Sequence, residues 1–336
     1  MPFEPPARIE PLTPAQRWFN RFCPSVRLRR DPLSDWRVEG RYAPVSIANW
    51  KLTPMMRRAL LARRAAQPLA FADDQRLTIV IPFRDREAHL RELLPPLTAV
   101  LSRQQVRFRI LVVEQLPEGL FNRGKLLNIG MQHAKDVSDY YCLHDVDAVP
   151  VLANYACPSQ PLRLVSTIVH APADRPAHAM VQSSPAAIGR AASHDAPRVD
   201  PSNRHAHVVA SAARADYYFS GAISIRKEQA YAANGYSNEY WGWGKEDDDF
   251  FFRLLLAGYL CYYDTQGVFH DLPNPAHQQV ERNSRTTPPH VGRNRRRRSL
   301  LVRGLIDPRA EGLSSLRYEL LEHHDRGDHE RILVRW

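Results

Sequence analysis

Leu77-Thr78-Ile79-Val80-Ile81-Pro82 runs straight into Phe83-Arg84-Asp85-Arg86, and this junction decides the fold. A nearly unbroken β-branched run predicts a strand buried on both faces, the kind found inside a parallel sheet. Arg107 to Glu114 predicts a second such strand and Ser138 to Leu143 a third. Between the first two, Arg86 to Leu101 fits a helix interrupted at Pro95-Pro96; between the second and third, Asn122 to Lys135 carries Leu126, Leu127, Met131 and Ala134 on one side of another. This alternation predicts an α/β fold with a mostly parallel central sheet flanked by helices, its ligands bound beyond the carboxyl ends of the strands.

The reactive residue types collect at those ends. Pro82 to Arg86 follow the first strand, Phe121-Asn122-Arg123 the second, and His144-Asp145-Val146-Asp147 the third. Alternate residues of an extended chain face alike, so Asp145 and Asp147 can chelate one cation; hard carboxylates suit Mn²⁺, with Mg²⁺ also possible. His270, at a later strand end, is a further candidate ligand, with an ordinary histidine as the alternative. Arg84, Arg86 and Arg123 can meet the charged parts of a nucleotide, with Phe83 or Phe121 against its base. No GxGxxG follows the first strand and no GxxxxGK[ST] occurs, which disfavours dinucleotide and P-loop folds.

Downstream, Tyr240-Trp241-Gly242-Trp243-Gly244-Lys245-Glu246-Asp247-Asp248-Asp249 places four acids before an apolar run that ends at Gly258. They predict the first turn of a helix, where free N–H groups and the dipole favour anions. Capping needs one or two such acids. The excess points to a site that meets hydroxyls or a cation. Trp243 between two glycines fits a sugar-stacking ring or movable lid; a core tryptophan is the plainer alternative.

The 336 residues hold one large or two ordinary domains, and 44% hydrophobic content with no long apolar run predicts a globular chain located in the cytoplasm. Its four cysteines lack CxxC spacing and are expected to be reduced. The net charge of +10 concentrates in the N-terminal third and in Arg293, Arg295, Arg296, Arg297 and Arg298. Without interleaved aromatics or a recognition-helix pattern, that charge predicts a solvated surface or peripheral contact with an anionic membrane, not nucleic acid. Residues 1–77 read as a Pro/Arg-rich extension with a possible helix at Pro54 to Ala66, 171–210 as a flexible insertion, 271–298 as a basic lid loop and 299–336 as a closing region.

Phe121 to Asn128, His144 to Asp147, Tyr218-Phe219-Ser220-Gly221 and Asn234 to Asp249 resemble, in order, the successive motifs of the β-1,4-galactosyltransferase family, as does Ile81 to Arg84. The resemblance spans about residues 78–270. It implies a GT-A-like catalytic domain and Mn²⁺-dependent, inverting transfer of galactose from UDP-galactose to a sugar hydroxyl of a glycan or glycolipid. By motif, Pro82, Phe83, Arg84, Arg86, Phe121, Arg123, Asp145 and Val146 would hold UDP, and Tyr218 would line the donor sugar. Asp147 would bind metal with Asp145 and His270; Trp243, Glu246, Asp247 and Asp248 would contact acceptor, with Asp247 as general base. Ser220, Lys245, Ala148 and Val149 depart from the family pattern without removing a reacting group. The lack of the animal enzymes' anchor implies a soluble, bacterial-type member. The rival classes are a metal-dependent phosphoesterase, disfavoured by the single DxD, and a basic binding module built on the arginine run.

Overall fold

The computed structural model describes residues 41–45, 69–170, 209–212, 219–273 and 288–336. The candidate helix at 54–66, nearly all of the 171–210 insertion, Tyr218 and residues 274–287 of the expected lid lie outside the described residues. In chain order the elements are β1 (Tyr42–Pro44), β2 (Phe71–Ala72), β3 (Arg76–Phe83), α1 (Glu87–Arg103), β4 (Arg107–Gln115), α2 (Arg123–His133), β5 (Tyr140–His144), β6 (Ala148–Leu152) and β7 (Cys157–Pro158). There follow β8 (Leu162–Arg163), β9 (Thr167–His170), β10 (Val209–Ala212), β11 (Ala222–Arg226), α3 (Lys227–Ala232), α4 (Glu246–Leu256), β12 (Tyr262–Asp264), β13 (Val268–Asp271), α5 (Pro289–Val302), β14 (Glu319–Asp325) and β15 (Glu330–Arg335).

Nine strands form the main sheet in the order β1-β12-β8-β11-β5-β3-β4-β15-β14. Its centre, β5-β3-β4-β15, is parallel throughout, as the apolar runs predict, whereas β11 and the β14 edge join antiparallel. A second sheet, β10-β9-β13-β6, sets β13 antiparallel beside β6. Strand periodicity divides the core. Leu77, Ile79, Ile81 and Phe83 face one buried cluster with α1, while Val80 faces another with α2 and α4. Burying both faces explains why the central strands read as unbroken hydrophobic runs.

Three expectations are corrected. α1 does not break at Pro95-Pro96 but continues to Arg103. Pro96 is buried with Leu93, Leu94 and Leu97 against the sheet, and that packing outweighs the lost N–H bonds. The expected lid is not a loop throughout, because Pro289–Val302 is a helix with Pro at its N-terminal turn, where proline's missing donor costs nothing. The N-terminal extension is not an appendage throughout, since β1 pairs with β12; in the closing region β15 continues the sheet beside β4. Cys142, Cys157 and Cys261 are free and buried, and no helix among the described residues is long and apolar enough to cross a membrane.

α2 approaches β3 over Gly130, where a Cβ would stand 2.2 Å from a Val80 methyl. Gly130→Ala gains roughly 1 kcal/mol of helix propensity but forces an overpacking that costs about 1–3 kcal/mol. The expected outcome in urea unfolding is a net loss of stability; a stabilised variant would show that the helix can lift off the sheet freely.

Candidate functional site

The site is assembled where β3, β4 and β5 end. Gln115 turns the chain after β4 by accepting the Asn122 N–H and donating to the Leu120 carbonyl, and the Asn122 side chain then caps α2 at the Lys125 N–H. This fixes Arg123 at the first position of the helix. Its Nε donates to Asp145 Oδ1 at 2.7 Å and its Nη1 to Asp247 Oδ1 at 2.6 Å. The Tyr236 hydroxyl also donates to Asp247 Oδ1, at 3.1 Å, and its ring stacks on Phe250 with centroids 4.1 Å apart. One guanidinium therefore joins the acidic turn after β5 to the first turn of α4. Burial alone would lower its pKa, but Asp145 and Asp247 raise it and keep it charged.

His144 holds the turn from behind. Its Nδ1 lies 2.9 Å from the Asp145 carbonyl oxygen, which can only accept, so Nδ1 carries the proton and Nε2 accepts from the Tyr155 hydroxyl. Burial lowers its pKa to about 4 and the ring stays neutral. Burial likewise pushes Asp145 up to about 7, opposed by Arg123 and assisted by the charges of Asp147 and Asp247. Asp271, next to His270 on β13, is pushed to about 7 by burial and by Asp147. The Leu272 N–H donates to the Asp147 carbonyl at 2.9 Å, so β13 ends against the acidic turn.

The donor chemistry fits a hard divalent cation, since the charge of Asp147 acts on both Asp145 and Asp271 and gathers three carboxylates at the turn after β5. His270 is buried on β13, opposite Val149. Asp145, Asp147 and His270 do not come within 4.8 Å of one another as a set, because Asp145 is turned onto Arg123. Asp271, which sequence reasoning passed over as the end of a strand, adds a further carboxylate within the field of Asp147.

α4 begins at Glu246 as expected, and its glycine stop is Gly258. Its four acids do four different things. Asp247 faces Arg123; Asp248 takes the Lys245 ammonium at 3.0 Å and meets Arg298 at 3.4 Å. Asp249 pairs with the fully buried Arg253 and accepts from the Tyr240 hydroxyl. Glu246 is buried, its Oε2 has no hydrogen-bond partner, and burial together with Asp247 pushes it up to about 8. Arg253 also donates to the Pro308 and Glu311 carbonyls and to the Glu311 carboxylate, which Arg297 meets from the other side. The arginine run is thus not one solvated face: Arg293, Arg295 and Arg296 are exposed, while Arg297 and Arg298 turn inward.

The loop ahead of α4 leaves Trp243 41% exposed, available as a stacking ring rather than a core residue. Asn294 of α5 donates to the carbonyls of Trp241 and Trp243, and Gly242, at φ 70°, lies so close to His290 that a Cβ would come within 2.5 Å of that ring. The Arg84 guanidinium covers the Phe121 ring at 5.3 Å and donates to the Gly119 carbonyl; Arg86 donates to His89 Nδ1. Pro82 and Phe83 are buried, with Arg331 over the Phe83 ring at 4.6 Å, so Phe121 is the ring of the pair that can face a base. Val146 is buried between the two acids.

Two family models match this chain: the N-terminal region of glycosyl transferase group 7 over residues 46–158, and the N-terminal domain of galactosyltransferase over residues 204–269. Drosophila melanogaster β-1,4-galactosyltransferase 7 is 33% identical over 191 residues, covering 56% of this chain and 47% of its own length. Human β-1,4-galactosyltransferase 1 is 35% identical over 187 residues, covering 54% of this chain and 37% of its own. The chain thus spans about half or less of the curated relatives' length. Among solved structures, the Drosophila β-1,4-galactosyltransferase 7 catalytic domain with xylobiose superposes with a TM-score of 0.52 at 28% identity. A mutant of it in complex with manganese, UDP-Gal and xylobiose gives 0.53 at 26%. Each covers 77% of this chain and 93% of that one. The architecture is the GT-A fold of glycosyltransferases. Arg123 and Asp145 fall in the first matched region and Asp247 in the second, and with the acidic turn and the acidic helix in one site, the chain belongs to the glycosyltransferase group 7 family, that of the β-1,4-galactosyltransferases.

Proposed function

We propose that the chain transfers galactose from UDP-galactose to a sugar hydroxyl of a glycan acceptor, with inversion to a β linkage, in the β-1,4 manner of its relatives. The observation that carries this is the Arg123 bridge, which sets a donor-side carboxylate, Asp145, one guanidinium away from an acceptor-side carboxylate, Asp247. Arg84 and Phe121 receive the nucleotide, and Asp145, Asp147 and His270, with Asp271 nearby, would hold Mn²⁺ once Asp145 turns from Arg123. When bound, that cation stabilises the charge on the departing diphosphate.

Asp247 is the base. Arg123 and Tyr236 both bond its Oδ1, which fixes the carboxylate and leaves Oδ2 for the acceptor hydroxyl. As that oxygen bonds to the anomeric carbon, the carbon–phosphate oxygen bond breaks on the opposite face, UDP leaves with the electron pair, and the proton passes to Asp247. Glu246, protonated at neutral pH, donates a hydrogen bond to the acceptor, while Trp243 stacks on its ring.

Three measurements test this. Asp247→Asn lowers kcat for UDP release in the presence of acceptor by about 10²–10⁴-fold with little change in donor affinity, the worth of a positioned base; full kcat would remove Asp247 from the role. Asp147→Ala abolishes Mn²⁺-dependent transfer while circular dichroism shows an intact fold; near-normal activity would unseat the acidic turn. The third concerns Glu246, whose folded pKa lies above its unfolded value, so its burial costs nothing at low pH and destabilises the fold increasingly as pH rises toward 8. Glu246→Gln is therefore expected to melt higher than the parent at pH 8 and alike at pH 5, and a gap that does not grow with pH would show that Glu246 is already ionised.

A further inference from the structure

On the far side of the molecule from the acidic turn, three metal-binding side chains meet at a place the transfer reaction does not use. His133 lies in the last turn of α2, ten residues and about 15 Å along the helix axis from Arg123. His323 lies on β14 and Glu330 on β15, in the hairpin that closes the sheet. Their donor atoms all fall within 4.8 Å of one another, and among the described residues no other set of three His, Cys, Asp or Glu does so.

We propose that His133, His323 and Glu330 form a zinc site that fastens the end of α2 to the β14–β15 hairpin. The His323 Nε2 and Glu330 Oε2 atoms are 3.2 Å apart. Two donors at 2.0–2.1 Å from a tetrahedral centre stand about 3.3 Å apart, so this pair already has the required separation. The His133 ring meets the His323 ring edge-on, at 86° with centroids 5.3 Å apart, and no hydrogen bond among the described residues engages its nitrogens. A small rotation of His133 completes a three-ligand set, with water in the fourth position. Arg109 on β4 donates to the other Glu330 oxygen, Oε1. It opposes a nearby cation in charge, yet it fixes the carboxylate with Oε2 turned to the histidines, the part an outer hydrogen bond plays at metal sites. Two imidazoles and one carboxylate select zinc over the hard cations Mn²⁺ and Mg²⁺, which favour oxygen. Joining an early helix to the last two strands, the ion would stabilise the fold.

The test uses the full chain carrying Asp147→Ala, so that the acidic turn does not compete for metal, stripped with chelator and desalted. Calorimetric titration with zinc chloride is expected to show a single equivalent bound, and zinc to raise Tm by several degrees, whereas the same concentration of Mn²⁺ or Mg²⁺ leaves Tm unchanged. Co²⁺ in place of zinc should give the visible absorption of a tetrahedral site. Adding His323→Ala, a change at an exposed position, should leave the metal-free Tm alone, remove the zinc-dependent rise and weaken binding by about 100-fold or more; His133→Gln should do the same. Zinc binding unaffected by either substitution, or absent at about 100 µM zinc, where even weak metal sites fill, would overturn the site and leave His323 and Glu330 as a plain ion pair.

Discussion

A single buried guanidinium, that of Arg123, decides how the two sides of the candidate site relate. Asp145 and Asp247 come from segments about a hundred residues apart, and neither could be buried ionised without a countercharge. Arg123 supplies it to both at once. Its planar fork lets one nitrogen address each carboxylate, a geometry a lysine ammonium would not impose. The guanidinium also lies 5.8 Å from the centre of the Tyr236 ring. Through Tyr236 stacked on Phe250, the charged centre is referred to the apolar core.

The acidic turn of α4 shows how a cluster that looks redundant can be differentiated by its surroundings. Asp249 faces inward, and with Arg253 and Glu311 it closes a buried ionic network that pins residues 308–311 beneath the helix. Asp248 is shared between Lys245 and Arg298, so it carries no surplus charge. Glu246 feels the Arg123 charge, but its Oε2 has no hydrogen-bond partner, and burial together with Asp247 outweighs that charge and pushes the carboxyl up. Neighbouring acids thereby meet four different surroundings, a buried ionic network, a surface pair of cations, the Arg123 guanidinium and an apolar enclosure, and burial with countercharge sets them apart.

What the sequence made legible was what depends on local pattern. The alternation within Leu77–Phe83 and Arg107–Gln115, the helix carrying Leu126 and Leu127, and the start and stop of α4 all follow from side-chain period and helix-end chemistry. What it did not show depends on distant partners. Nothing local says that Glu330 to Arg335 pairs inside the main sheet, because that strand's parallel neighbour is Arg107–Gln115, more than two hundred residues earlier. The continuation of α1 through two prolines rests on the sheet beneath it. Arg297 and Arg298 read as part of a uniform basic run because their partners, Glu311 and Asp248, are set only by the fold. Asn128 was a missed signal: an amide in an apolar helix face must find partners, and it finds Tyr236 and Asn238 just ahead of the tryptophan loop.

The contact of Gly242 with His290 has a mechanical meaning. His290 and Asn294 stand one turn apart on α5, so a single helix both backs the tryptophan loop at Gly242 and holds it through two carbonyls, and the loop cannot swing as an independent flap. A swing of the loop backbone that carries Trp243 must either release both Asn294 bonds or carry the first turns of α5 along. In the second case the exposed arginines at 293, 295 and 296 travel with the indole, and the position of that exposed ring is geared to a positively charged lever on the outside of the molecule.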